Sequence, residues 1–381
     1  MTAPGSSPTP TSTPVSPPAP SPSPASASPS VAGPTGSILF YRERPEGTLN
    51  GSYWIVAAAG GTPHRLGPGV EAEWASDGSV VHVVRFDPRC VPVVVTKSPV
   101  GATRSTIHRG LRPLDQGFSW SPDGSYVTFL RYHYGAPRRA CGSQGGTYTP
   151  HESLRDLMIM RADGTGLRVL LPRVHPSLFA SWSPDSRRFA VSLDRALSTS
   201  NRQQLVVVDV PSGHVTDLDP RLGIKNVEAL ADIHWSPSGR DLAFTMYANS
   251  ADHVAVAPIS GGRIRDLGVP DIGDYAPSWA PDGGSLAFAR DRVQGNEILA
   301  GTIIVVSMPG LASRDLGLTD VQGGVAPPAW SPDGRWLAYV RVVDAATGGL
   351  GGIVVIGADG HQARTLGGTR DTDWIAWQPE R

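Results

Sequence analysis

Carboxylates recur a few residues ahead of six of the seven tryptophans that open a repeated turn in this 381-residue sequence, beginning with Glu71 and Glu73 ahead of Trp74. Carboxylate oxygens bind hard divalent cations, and they also attract cationic groups and accept hydrogen bonds from sugars. If these segments converge on one channel, they could hold a cation or such a ligand; the alternative is that they cap strand ends and face water. The candidate ligand-binding residues of this group are Asp232, Asp274, Tyr275, Asp371 and Asp373.

A second group of polar residues lies in residues 133–154, a long stretch between two apolar runs. A loop of this length without structure of its own is usually either functional or disordered. His175, ahead of Trp182, could act as a ligand or a base, or be an ordinary loop histidine. The candidate ligand-binding residues of the long loop are His133, Tyr134, Arg138, Arg139, Tyr148 and His151.

Motifs for nucleophilic, zinc and phosphate chemistry do not occur in the sequence. There is no Gly-x-Ser-x-Gly elbow, no His-Glu-x-x-His and no Cys-x-x-Cys, and the glycines do not form a phosphate loop between a strand and a helix. The ten histidines are scattered, without a His-x-His pair. We therefore assign no catalytic residue and expect no organic cofactor. A divalent cation in a central channel stays an open hypothesis.

A tryptophan followed by a short polar turn, in its full form Trp-Ser-Pro-Asp-Gly, recurs at intervals of 44 to 62 residues. Pro presets φ for such a turn, Asp hydrogen bonds to nearby backbone, and Gly adopts the left-handed conformation. Two β-rich apolar runs follow; after Trp279 they are Leu286–Ala289 and Ile303–Met308. This pattern predicts four-stranded propeller blades with strands A to D. The repeated tryptophans are Trp74, Trp120, Trp182, Trp235, Trp279, Trp330 and Trp377.

The seventh tryptophan predicts how the ring closes. Trp377 can end a strand A, but the four residues that follow it are too few for strands B to D. Residues 37–42, near the other end of the sequence, are typical of a strand B. Closure of the ring removes exposed sheet edges. We predict an all-β fold, a seven-bladed β-propeller of four-stranded antiparallel blades, in which the C-terminal strand A pairs with N-terminal strands B to D. Residues 36–381 form this propeller, and residues 1–35 form a tail.

The repeated Trp-Ser-Pro-Asp-Gly turn resembles that of the TolB-like family of WD-type propellers, over residues 36–381. Similar propellers serve in envelope protein interactions, as gating domains of peptidases, as sensor domains of bacterial membrane proteins and as oligogalacturonate lyases. The resemblance therefore implies the fold and leaves the function open. Because the sequence has seven repeats where TolB has six, and carries neither an α/β domain nor a hydrolase domain, we expect neither TolB itself nor a peptidase.

The B–C and D–A loops of such a propeller share one face, and here their lengths vary more than those of the A–B and C–D turns. Variable loops on a rigid scaffold commonly carry binding sites. Cys90 and Cys141 fall in the B–C loops of adjacent blades. We predict that they form a disulfide that ties down the long loop, with two free thiols as the alternative.

The composition limits the classes of partner. The chain has 33 Lys+Arg and 34 Asp+Glu, so no strong field favours nucleic acid or an anionic membrane. Residues 2–35 are almost wholly Pro, Ser, Thr, Ala and Gly, which predicts a disordered spacer. Such spacers follow membrane anchors in exported bacterial proteins. We therefore expect an extracytoplasmic protein, periplasmic or on the cell surface, whose anchor is absent from this sequence; a cytosolic protein with a disordered tail is the alternative.

These observations favour a non-catalytic, monomeric binding or scaffold propeller. We expect it to recognise a protein or glycan of the cell envelope through the face that carries the B–C and D–A loops. The alternative is a metal-dependent polysaccharide lyase or hydrolase with its site at the channel mouth.

Overall fold

The computed structural model describes residues 33–42, 51–107, 109–133, 154–174, 176–194, 203–222, 229–248, 251–294, 297–308, 310–321, 327–344 and 349–380. Within them the chain forms 28 strands and one short helix, α1 (Asp219–Leu222). No helix in these ranges has the length and hydropathy needed to cross a membrane. The strands are, in chain order, β1 (Ser37–Arg42), β2 (Gly51–Ala57), β3 (His64–Gly69), β4 (Glu71–Trp74), β5 (Val81–Phe86), β6 (Pro92–Lys97), β7 (Thr103–Ile107), β8 (Gln116–Trp120), β9 (Tyr126–Tyr132), β10 (Arg155–Arg161), β11 (Arg168–Val174), β12 (Pro176–Trp182), β13 (Arg188–Asp194), β14 (Gln203–Asp209), β15 (Val215–Asp217), β16 (Ala229–Trp235), β17 (Asp241–Ala248), β18 (Ala251–Pro258), β19 (Arg265–Asp266), β20 (Asp274–Trp279), β21 (Ser285–Gln294), β22 (Glu297–Ser307), β23 (Ser313–Asp315), β24 (Ala329–Trp330), β25 (Trp336–Asp344), β26 (Gly349–Gly357), β27 (Arg364–Thr365) and β28 (Thr372–Trp377).

These strands form seven four-stranded antiparallel sheets, which are the blades of a propeller within the compact unit Pro34–Arg381. Six blades use four consecutive strands, from β4-β5-β6-β7 in the second blade to β24-β25-β26-β27 in the seventh. The first blade has the order β28-β1-β2-β3. The predicted seven-bladed all-β propeller is therefore confirmed.

The first blade is shared between the two ends of the compact unit. β28 pairs antiparallel with β1, so that Ile38 faces Trp377 and Leu39 faces Ala376. The side chain of Gln378 then donates from Nε2 to the backbone oxygen of Gly78 in the second blade, at 2.8 Å. The predicted closure by a C-terminal strand A is thus confirmed.

Each repeat tryptophan ends a strand A, and its indole ring links neighbouring blades. Trp235 donates its N–H to the backbone oxygen of Ser181 at 3.0 Å, and Trp330 donates to Ser278 at 3.0 Å. In both bonds the acceptor is the residue before the tryptophan of the preceding blade. A buried indole needs such a partner for its one donor. The same bond is made by Trp74, Trp182 and Trp279.

The A–B turns repeat one hydrogen-bonding pattern. In the third blade Ser121 Oγ donates to Asp123 Oδ1 at 2.6 Å and accepts the N–H of Tyr126 at 2.9 Å. In the fourth blade Ser186 replaces the usual glycine and still adopts a φ of 58°. Its hydroxyl accepts the N–H of Asp123 at 2.9 Å, which joins the two turns.

The hydrophobic core lies between the blades. Leu205 and Val207 of the fourth blade pack with Trp235 and Phe244 of the fifth, and all four side chains are buried. Burial of each such side chain stabilises the fold by about 2 kcal/mol. Because a blade has two apolar faces, each sheet depends on both neighbours.

Strands B and C of the sixth blade are longer than predicted, since β21 runs to Gln294 and β22 begins at Glu297. From the sequence, only the apolar run Leu286–Ala289 is assigned to strand B. The strand continues because Arg290 pairs with Asp274 within the protein.

Candidate functional site

A cavity of about 770 Å³ lies along the inner strands of the propeller. Strands A of the first, second, third and fifth blades contribute to it, and apolar side chains of the third and fourth blades form one wall. A space of this size can hold a small ligand or the side chains of a short segment. The lining includes Tyr41, Tyr53, Glu71, Glu73, His234, Asp373 and Trp374.

Two carboxylates of β4 reach across to the inner edge of β8. Glu71 accepts the backbone N–H groups of Gly117 at 2.8 Å and Phe118 at 2.7 Å, and Glu73 accepts that of Trp120 at 3.2 Å. Glu71 and Glu73 point to the same side because side chains alternate along a strand. The two consecutive N–H groups face them at a β-bulge between Gln116 and Ser119.

The protonation of this pair is set by its surroundings. Loss of hydration raises the pKa of Glu73 to about 8; the hydrogen bond from Trp120 opposes this rise and the charge of Glu71 adds to it. Loss of hydration also raises the pKa of Glu71, against its two backbone hydrogen bonds. Near neutral pH Glu73 is therefore mostly protonated, and a cation placed beside it would favour its ionised form.

Three aromatic rings stand beside the carboxylates. The Tyr41 and Tyr53 ring centroids are 5.0 Å apart, and Tyr53 meets Trp374 edge to face at 6.1 Å. Loss of hydration raises the pKa of Tyr53, and the nearby charges of Glu71 and Asp373 add to the rise. The cavity wall thus combines aromatic faces with acidic groups, both of which attract positive charge.

His234 enters the cavity from β16, where its backbone oxygen accepts the indole N–H of Trp279. Loss of hydration lowers the pKa of His234, and the charge of Asp232 opposes this effect. Asp232 has a φ of 50°, and its carboxylate accepts the hydroxyl of Thr245 at 3.1 Å. The predicted residue Asp232 therefore acts on the cavity through His234.

Tyr275 lies in a separate acidic group. Its hydroxyl interacts with the carboxylates of Asp252 and Asp291, and loss of hydration together with these charges raises the pKa of Tyr275. Loss of hydration also raises the pKa of Asp252. The cavity lining described above does not include this group.

Arginines at strand B neutralise the carboxylates of several D–A loops. Arg290 donates to Asp274 from Nε at 2.6 Å and from Nη2 at 2.7 Å, and the Asp274 side chain is fully buried. Arg131 holds Asp115 in the same way, at 3.0 and 2.7 Å. The predicted binding residue Asp274 therefore belongs to a structural ion pair, and a full ring of free carboxylates does not form.

The remaining predicted residues fall into two groups. His133 pairs with Asp156, Nδ1 to Oδ1 at 2.6 Å, and Asp371 is exposed with a φ of 58°. Neither residue lies in the cavity wall, whereas Asp373 does. Seven predictions concern residues outside the described ranges, namely Tyr134, Arg138, Arg139, Cys141, Tyr148, His151 and His175.

Cys90 is disulfide-bonded and has a φ of 62° in the B–C loop of the second blade. Its N–H donates to the backbone oxygen of Asp87 at 2.9 Å, and its own oxygen accepts the N–H of Leu114 at 3.0 Å. The disulfide with Cys141 stays a prediction, because Cys141 lies outside the described residues.

Metal ligands do not converge in the part of the chain that the structure describes: no three His, Cys, Asp or Glu side chains there are grouped to hold an ion. The cavity instead offers hydrogen-bond acceptors, acidic groups and aromatic faces. Such a wall suits binding by charge and stacking.

Sequence reasoning did not select Tyr41, Tyr53, Trp374 or His234. The tyrosines lie opposite each other in β1 and β2, at the ends of strands assigned to an architectural role. The cross-strand aromatic pair was the available signal. Glu71 and Glu73 were noted as part of the acidic pattern, but their contact with β8 depends on how adjacent blades meet.

The comparisons with known proteins show the fold. No family model matches the chain. The Bacillus subtilis (strain 168) protein described as an uncharacterized peptidase, YuxL, is 45% identical over 59 residues. That match spans 16% of this chain and 8% of YuxL, so it shows a local similarity.

Three solved structures cover most of the chain at low identity. A puromycin hydrolase aligns with a TM-score of 0.60 and 13% identity, over 89% of this chain and 54% of its own. TolB from Acinetobacter baumannii aligns with a TM-score of 0.51 and 12% identity, over 92% of this chain and 68% of its own. An oligogalacturonate lyase in complex with manganese aligns with a TM-score of 0.54 and 12% identity, over 88% of this chain and 86% of its own. The TolB-like resemblance is thus confirmed for the fold, and the WD-type assignment stays a prediction.

Proposed function

We propose that this protein is a binding propeller whose central cavity takes a positively charged nitrogen carried by a protein segment or a glycan. The observation that carries the proposal is the cavity wall, in which Glu71, Glu73 and Asp373 stand beside the rings of Tyr53 and Trp374. An ammonium group gains Coulomb attraction from carboxylates and quadrupole attraction from aromatic faces.

The charge balance supports a cationic ligand over a neutral one. The carboxylates of Glu71 and Glu73 are held in a poorly hydrated site, where raised pKa values mark the cost of negative charge. A bound cation offsets that cost, because it favours the ionised form of each carboxyl group. Binding should therefore tighten as the pH rises from 6 to 9 and Glu73 ionises.

The test uses matched pairs of ligands that differ in one charge. Isothermal titration calorimetry would compare a lysine-containing tripeptide with its Nε-acetylated form, and glucosamine oligomers with N-acetylglucosamine oligomers. We expect the cationic member of at least one pair to bind at least tenfold more tightly. Equal or absent binding of both members in both pairs would overturn the proposal.

Variants localise the effect to the cavity. Asp373→Asn and Glu73→Gln keep the shape of the wall, and each should weaken cation binding by about tenfold, the equivalent of 1.4 kcal/mol. Asp163→Asn is the matched control, because Asp163 lies in a C–D turn and is fully exposed. A loss of binding in the control as large as in the cavity variants would contradict the proposed site.

We further propose that the protein works outside the cytoplasm as a monomer. The disulfide of Cys90 supports this location, since disulfides persist in oxidising compartments. The Pro/Ser-rich composition of residues 2–35 suits a spacer to an anchor. Fractionation of cells that carry the native gene, with light scattering of the purified protein, tests both statements; a cytoplasmic or dimeric protein would contradict them.

The competing hypothesis is a metal-dependent polysaccharide lyase or hydrolase. Elemental analysis of protein purified without chelator, combined with polygalacturonate as a substrate monitored at the absorbance of its unsaturated products, separates the two. Stoichiometric metal together with metal-dependent cleavage would replace binding with catalysis. Metal-free protein that binds the cationic probe supports the binding propeller.

A further inference from the structure

A second cavity, of about 230 Å³, lies between β3 of the first blade and β5, β6 and β7 of the second. Pro68 of β3 closes one side, and Val83 and Val95 form an apolar floor. Arg85 and Lys97 stand on the same face of the second blade as these valines, because side chains alternate along β5 and β6.

The positive charge in this cavity is concentrated. Lys97 is one of only two lysines in the chain. Its ammonium group is anchored by a hydrogen bond to the backbone oxygen of Leu66 at 2.7 Å. Loss of hydration lowers the pKa of Lys97, and the positive charges of Arg85 and Arg65 lower it further.

No carboxylate compensates these cations within the residues that the structure describes: Arg85 and Lys97 form no ion pair there. The cavity between the sixth and seventh blades differs in containing a carboxylate. This carboxylate, Asp320, accepts the hydroxyl of Tyr339 at 3.0 Å and pairs with Arg341 at 3.4 Å. The lining of the cavity between blades one and two has no carboxylate.

We propose that the cavity lined by Arg85, Lys97 and Thr103 binds a small oxyanion, a phosphate, sulfate or carboxylate group. An anion placed there would accept charge-assisted hydrogen bonds from the guanidinium and ammonium groups, with the Thr103 hydroxyl as a further donor. It would also relieve the repulsion between the two cations. The volume admits a group of this size.

The test titrates the protein, at low ionic strength, with inorganic phosphate, inorganic sulfate and glucuronate, and uses glucose as the uncharged control. We expect saturable calorimetric binding of at least one anion, weakened by added sodium chloride. Arg85→Gln should weaken it at least tenfold, and so should Lys97→Met. The most tightly bound anion identifies which of the three sources the site prefers.

Arg104→Gln is the matched control, because it removes the same charge one residue from Thr103, on the opposite face of β7. Arg85 makes no described hydrogen bond, so Arg85→Gln keeps the test valid if Lys97→Met impairs folding. Amide NMR shifts confined to residues 66–68, 83–85 and 95–103 would support the site. No saturable binding, or an equal loss in Arg104→Gln, would overturn the proposal. Glu73→Gln should leave anion binding unchanged, which separates this site from the central cavity.

Discussion

Trp377 donates its indole N–H to the backbone oxygen of Thr35 at 3.0 Å, although 342 residues separate the two in sequence. The corresponding indoles described above bond to a strand A of the preceding blade; this one bonds to the segment that leads into β1. The contact fastens the shared first blade at its inner edge.

Deletion of residues 372–381 removes β28 and exposes the edge of β1. The buried side chains of Ile375 and Trp377 are lost, together with the β1–β28 ladder. We expect the thermal unfolding midpoint to fall by roughly 10 °C or more. Circular dichroism measures it, with Trp377→Phe as a milder variant that loses mainly the hydrogen bond. A truncated protein with the wild-type midpoint would show that the ring does not depend on this closure.

Asp274→Asn should be strongly destabilising, by roughly 3 kcal/mol, because it leaves Arg290 without its bidentate partner inside the protein. Asp185→Asn removes a carboxylate from the exposed pair with Arg188 and should cost less than about 1 kcal/mol. Urea unfolding of both variants measures the difference. Similar losses in the two would contradict a structural role for the Arg290–Asp274 pair.

The disulfide prediction concerns Cys90 and Cys141, the only two cysteines of the chain. Thiol titration of the denatured, non-reduced protein should find no free thiol, and titration after reduction should find two. Peptide mapping should recover both cysteines in one cross-linked pair. Two free thiols before reduction would refute it. A protein expressed in a reducing cytoplasm serves as the control.

Stability should fall with rising pH because of Glu73. Its pKa is about 8 in the folded protein, above the ordinary value of 4.5, so its contribution is fully present below pH 4.5 and is lost as the pH rises through 8. Relative to Glu73→Gln, the wild type should lose on the order of 3 kcal/mol of unfolding free energy between pH 4.5 and pH 9.

Asp163→Asn provides a control of opposite sign. Hydrogen bonds from Thr165 lower the pKa of Asp163, so its benefit is present above its ordinary value of 3.8 and is lost as the pH falls further. Chemical unfolding at four pH values follows both differences. The difference in unfolding free energy between the wild type and Glu73→Gln should change with pH. A difference that stays constant would contradict the raised pKa of Glu73.

The fold could be predicted because its signals are local and repeated. The Trp-Ser-Pro-Asp-Gly turn specifies its own hydrogen bonds, as Ser121 and Asp123 show, and the spacing of the turns counts the blades. Closure of the ring could be predicted from Trp377, because a single strand A at the end of the sequence needs partner strands from elsewhere in the chain. Strand length in the sixth blade was missed because Arg290 is charged in sequence and neutralised by Asp274 only in three dimensions.

The candidate site was predicted less completely because it depends on contacts between blades. Acidic residues ahead of six of the seven strands A were visible in the sequence, but their environments differ: Asp373 lines the cavity, whereas Asp274 is held by an arginine. No local pattern distinguishes the two. Tyr53 and Trp374 come together only when the two ends of the compact unit share a blade.

The contact of Glu71 and Glu73 with β8 also restricts how a peptide could bind in the channel. An extended segment often binds by extending a sheet, with its carbonyl groups accepting hydrogen bonds from the edge strand. On the third blade the N–H groups of Gly117, Phe118 and Trp120 are already occupied. At this blade a guest chain has no backbone template to follow, and selectivity must come from its side chains.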